Sequence, residues 1–123
     1  MLDRWDVVKV FRPDLPKPHH KYCICLNWEE RWFLYINSEP PQFRKARNFA
    51  VSVERHEVHG LIKTSHIDTT AIIDDLPPDE LTKALEVPSC RWGPLAPFIV
   101  NRITSAITGH NVFTAEQMGK FLP

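Results

Sequence analysis

The stretch KPHHKYCICL, residues 17–26, places two histidines, two lysines and a C-x-C within ten positions. A structural zinc site draws four ligands, commonly from Cys or His pairs spaced two to five apart. Here Cys23 and Cys25 are separated by one residue and Cys90 is remote. In an alternating strand both thiols share a face opposite Tyr22, Ile24 and Leu26, so they read as small core packers and no metal site is expected. Lys17, His19, His20 and Lys21 precede that alternation. They read either as a solvated loop end or as a cationic, acid–base cluster at a strand mouth, where imidazole titrates near neutral pH.

A second loaded stretch is KTSHIDTT, residues 63–70. Ser65 and His66 are strand neighbours and point to opposite faces, so the serine cannot serve that histidine as nucleophile. Asp68 shares the face of His66, which makes an imidazole–carboxylate pair feasible. No G-x-S-x-G elbow supports acyl transfer, and no glycine-rich phosphate loop is present. Arg44, Lys45 and Arg47 form a basic tip able to grip phosphates, although such runs are commonly just solvated. Trp5, Trp28, Trp32, Trp92 and Tyr35 read first as core, with base stacking as the sharper alternative.

These groups must be carried by particular elements. DVVKVF (6–11) is β-branched and ends at RPDLPKP, a strand followed by a proline-stiffened loop. KYCICL and RWFLYINS form a pair of strands joined through NWEE. Trp32, Leu34 and Ile36 alternate with Phe33 and Tyr35, so both faces of that strand are apolar and it is expected to be central. EPPQFRKARN reads as a long loop, because adjacent prolines remove ladder donors. FAVSV resumes strand character, and HGLIKTSHIDTTAII holds two further strand-like stretches. PPDELTKALE is a short helix opened by proline and acidic residues. In GPLAPFIVNRITSAITG the apolar residues recur every three or four positions, predicting a helix with Pro94 early and Gly109 as its stop. Thr114 and Gln117 have capping-box spacing for a last helix, so terminal helices are expected over about 94–122. Strands first and helices last predict an α+β, mostly β domain over residues 1–123, a small curled antiparallel sheet packed by C-terminal helices.

Lys+Arg and Asp+Glu balance at 15 each, so bulk charge does not announce a nucleic-acid partner and any anion site must be a local patch. No apolar run is long enough to span a bilayer and no charged leader precedes one. Three cysteines give no disulfide framework. The expected setting is the cytoplasm, with no membrane association.

Taken in order, DRWDVVKVFRPDLPKPHHKYCICL, FLYINSEP, HGLIKTSHIDTTAII and WGPLAPFIVNRITSAI resemble the PemK/MazF-like (plasmid maintenance and growth inhibition) toxin family over nearly the whole chain. The likeness lies in strand order, spacing and a few small residues. It implies an SH3-like antiparallel barrel with a C-terminal helix, a homodimer, cleavage of single-stranded RNA without metal or other cofactor, and an antitoxin protein as partner. By position, the family's basic pair before the second strand falls on His19 and His20. Its hydroxyl element falls on Asn37 and Ser38, and the polar residues of its later strand on Ser65, His66 and Asp68. His20-Lys21 stands where the family has Arg-Pro, and Asn37 where it has threonine.

Metal-free RNA cleavage needs a base for the ribose 2′-OH, an acid for the 5′-oxygen, and cations or donors for the nonbridging oxygens. The expected catalytic set is His20 and His66, the latter oriented by Asp68, with Ser38 as a donor. Lys17, His19, Lys21, Arg44, Lys45, Arg47 and Ser65 are the expected RNA contacts. A rival reading is a non-catalytic barrel of the same ancestry that binds a protein or nucleic acid. A third is a small structural or phage-related domain unrelated to RNA.

Overall fold

Alternating β-branched and aromatic residues build one six-stranded, wholly antiparallel sheet whose spatial order is β4-β5-β3-β2-β1-β6. The structure, a computed structural model, describes residues 1–122. The strands are β1 (Asp6–Arg12), β2 (His19–Asn27), β3 (Trp32–Asn37), β4 (Val51–Val53), β5 (Ser65–Ile67) and β6 (Arg91–Pro94). The helices are α1 (Arg44–Asn48), α2 (Pro78–Glu86), α3 (Pro97–His110) and α4 (Ala115–Gly119). The sheet curls into a barrel-like half-cylinder, and the fold is α+β as the order of elements predicts. Among the described residues no helix is long and apolar enough to cross a membrane.

Two apolar layers clamp the sheet. On one face Val7, Ile24, Leu34, Ile36 and Ile67 meet Ile99, Ile103 and Ile107 of α3, which recur four residues apart. On the other, Val8, Val10, Cys23, Cys25 and Phe33 meet Leu81 and Ala84 of α2. Strand β3 contributes to both layers, as its two apolar faces require. Cys23 and Cys25 have no exposed surface, and burial pushes both thiols up to about 12. Thiols held protonated in this way are packing groups rather than metal ligands or nucleophiles.

Local signals fall where the sequence puts them. The β2–β3 hairpin turns through 28–31, with Asn27 Oδ1 accepting the Glu30 N–H at 2.9 Å and Arg31 at φ +58°. Pro78 and Pro97 open α2 and α3 at positions where no N–H is needed. Thr114 and Gln117 form both halves of the capping box that starts α4.

Three expectations are corrected. The C-terminal helix starts at Pro97 rather than near Pro94, because residues 91–94 are captured as β6 by the free edge of β1, with Val7 opposite Gly93. It ends on Asn111 in the left-handed region, leaving Gly109 inside the helix. In 42–48 the chain leaves the loop for one short helix, α1, which buries Ala46. Of the two strand stretches expected in 59–73, only β5 and a single bridge from Ile73 to Phe33 form. Asp68 interrupts the second by accepting the Thr70 N–H and hydroxyl in a tight turn.

Gly60 shows a position where only glycine fits. Its φ is +86°, and a Cβ there would stand 2.4 Å from the Trp92 ring. That ring is held against Tyr22, centroid to centroid 4.7 Å, and edge-on to His59. Gly60→Ala should therefore lower stability by about 3 kcal/mol, from backbone strain plus displacement of the indole. Urea unfolding measures it; an unchanged midpoint would show that Trp92 moves freely.

Candidate functional site

The first residues of β2 and the last of β3 lie side by side, because the strands are antiparallel and Tyr22 pairs with Ile36. With the loop that follows β3 they enclose an open cleft of about 400 Å³. His19, His20 and Lys21 supply one wall and Asn37, Ser38 and Asp68 another, while Glu39–Gln42 close the rim. The cleft thus holds imidazole, ammonium, amide, hydroxyl and carboxylate groups at one strand mouth. Pro40 and Pro41 stiffen the rim, since each fixes its φ and lacks a donor.

Lys21 is the most constrained of these groups. It is half-buried; its ammonium donates to Asn37 Oδ1 on the neighbouring strand and lies 4.5 Å from the Tyr35 ring centroid. Desolvation, with a further push from the Arg12 guanidinium, lowers its pKa below the ordinary lysine value, although the Cys23 thiol acts in the opposite direction. A lowered ammonium pKa makes a better proton donor near neutrality. His19 lies two residues earlier on the same strand, and its Nδ1 is 2.6 Å from the Lys17 carbonyl oxygen. A carbonyl can only accept, so Nδ1 donates this bond, and in the neutral ring Nε2 presents a lone pair.

The side of the sheet separates the expected catalytic histidines. His66 pairs with Asn37 and Ser52 and lies on the face that carries Lys21. His20 pairs with Phe11, meets its ring in a tilted contact at 5.1 Å, and belongs to the face of Tyr22. His66 does not line the cleft, and its Nδ1 meets Ser52 Oγ at 3.3 Å rather than the Asp68 carboxylate. Asp68 does line the cleft, but its Oδ1 is committed to Thr70. The expected His20–His66 pair oriented by Asp68 is therefore not assembled, because odd and even register positions put the two rings on opposite faces.

Other expected contacts divide similarly. Ser65 is buried beside Ile67 in the core and donates to the Lys63 carbonyl, so it faces no ligand. Lys17 stays exposed in the turn before β2 and contributes its carbonyl to His19. Arg44, Lys45 and Arg47 sit on α1, just beyond the cleft rim, and Arg47 Nη1 donates to the Gln42 carbonyl at 3.2 Å.

Arg12 is the residue that sequence reasoning missed. It is 3% exposed at the end of β1, and its guanidinium donates to Asp14, to both oxygens of Asp75 at 3.0 and 3.3 Å, and to Tyr35 Oη at 2.9 Å. Hydrogen bonds from Arg12 hold both carboxyls below the usual carboxylate range, while the carboxylates raise the arginine in turn. Arg12 and Asp14 are two apart in the sequence and gave a hint, but Asp75 and Tyr35 are not local. Among the described residues no three His, Cys, Asp or Glu side chains converge as a metal centre requires.

Fold and site together define a small α+β protein whose curled antiparallel sheet opens a polar cleft of imidazole, ammonium, amide, hydroxyl and carboxylate groups at one strand mouth. Comparison with protein families and with curated proteins gives no match.

Proposed function

We propose that this protein is a metal-independent endoribonuclease of the PemK/MazF-like kind, an SH3-like barrel that cleaves single-stranded RNA at the β2–β3 cleft. The observation that supports it is the gathering of His19, Lys21, Ser38 and Asp68 around one opening beside Asn37. The roles differ from those first expected. His19 Nε2 takes the ribose 2′-OH proton, and the 2′-oxygen attacks phosphorus. The bond from phosphorus to the 5′-oxygen breaks, and Lys21 protonates the leaving oxygen. The products are a 2′,3′-cyclic phosphate and a 5′-hydroxyl, so atoms and protons balance. Asn37 holds the ammonium in place, and Ser38 donates to a nonbridging oxygen. The same reading carries a homodimer, an antitoxin partner and a cytoplasmic setting.

Separation of His20 and His66 onto opposite faces favours a second reading, a non-catalytic barrel that binds RNA or protein. Incubation of the purified chain with single-stranded RNA in excess EDTA decides between them. Cleavage to cyclic-phosphate and 5′-hydroxyl ends is expected, together with growth arrest on expression in a bacterium. His66→Ala should keep full cleavage, since it lies outside the cleft. Intact RNA and unimpaired growth would overturn the endoribonuclease and leave the binding module.

A further inference from the structure

We infer that Phe43 is a stacking platform that receives a base of single-stranded RNA as the strand enters the cleft, with Arg44 and Lys45 holding the adjoining phosphates. The inference deepens the RNA reading above and rests on it. Phe43 is 83% exposed, an unusual position for a phenyl ring in a chain that buries Phe33 and Phe121 completely. It follows Gln42, a residue of the cleft rim, so its Cα lies one residue step from the opening. Pro40 and Pro41 stiffen the approach, and Phe43 itself caps α1 in extended backbone at φ −71° and ψ 136°. The prolines restrict the backbone that presents the ring, which lowers the ordering cost of binding.

The surrounding charge matches one kind of occupant. Arg44 and Lys45 follow the ring directly, and α1 has no acidic residue in its first turn. Among the described residues neither is engaged in an ion pair, whereas Arg47 braces the rim through the Gln42 carbonyl. An exposed aromatic face beside unpaired cations suits an unstacked base with its phosphates, because every base has a π face and single strands leave it free. A duplex offers no such face. This divides the basic tip by role: Arg44 and Lys45 meet phosphate, and Arg47 positions the rim.

The test uses a 2′-O-methyl single-stranded oligonucleotide, which lacks the attacking hydroxyl, and reads binding by fluorescence anisotropy over a series of salt concentrations. Phe43→Ala should weaken binding at least about fivefold with its salt dependence unchanged, and Phe43→Trp should retain it. Replacing Arg44 and Lys45 together by alanine should lower the log–log salt slope by about 1.4. Matching thermal melts show that each variant is folded. Equal affinity for Phe43→Ala, equal binding of a duplex, or no binding by the unaltered chain would overturn the platform. Cleavage of ordinary RNA is read in parallel. Phe43-dependent binding without cleavage upholds the platform and removes the endoribonuclease; cleavage without Phe43 dependence does the reverse.

Discussion

On the proposed endoribonuclease reading, Lys21→Met should lower the rate of RNA cleavage by about 10²–10⁴-fold, the loss expected when a positioned general acid is removed, while the chain remains folded. Methionine matches the length of the lysine stem and keeps its packing along Tyr35, so the change removes the ammonium and little else. Asn37 loses a partner, but it borders the open cleft, where water replaces the bond. Lys21→Arg is the sharper control. A guanidinium keeps the charge but releases no proton in the accessible pH range, so this variant should bind RNA and fail to cut it. The pH profile carries the same information. With Lys21 as the proposed acid the reaction would require the protonated ammonium, and burial lowers its pKa, so activity should fall on the alkaline side below the pH at which an ordinary lysine titrates. Full activity in Lys21→Arg would show that the ammonium only clamps phosphate and that the acid lies elsewhere.

Arg12→Met destabilises the fold by roughly 3 kcal/mol, the low end of the cost of breaking a buried charge network, and shifts the melting temperature down by about 10 °C. The low end applies because Asp14 and Asp75 retain half or more of their exposure and water partly replaces the arginine. What remains is loss of the tie between the end of β1, the loop at Asp75 and the Tyr35 hydroxyl. The acid dependence follows from the sign of the shifts. Both carboxyls are lowered in the folded chain, so their contribution is complete above the unfolded value near 4 and is lost as pH falls through the folded values. Denaturant titrations from pH 7 down to pH 2 should show stability falling over that window in the unaltered chain. The profile should be nearly flat there in Arg12→Met. Parallel profiles for the two chains would mean that Arg12 does not hold these carboxylates in solution.

How far the sequence alone reached can be seen residue by residue. Alternation over residues 21–26 and 32–36 determined the two-sided core strand and the burial of Cys23 and Cys25. The proline and acidic start of α2 and the Thr114–Gln117 box determined where α2 and α4 begin, whereas the start of α3 was expected near Pro94 and falls at Pro97. Each of these signals acts within about one helical turn or one strand pleat, so the residues that decide it are neighbours in the chain.

Tertiary structure decided what lies across the sheet. Whether His66 meets Asp68 or Ser52 depends on the register between β4 and β5, which no local pattern encodes. The capture of 91–94 by β1, and the burial of Arg12 between Asp14 and Asp75, join residues more than sixty positions apart. The cluster at 17–21 was legible as chemical because unlike charges and imidazoles were crowded there. Which members face one another was not, because a one-residue step on a strand reverses the side, and only strand pairing fixes which side becomes the cleft. His19 and Lys21 therefore share one face of the sheet with His66, while His20 borders the same cleft from the other face.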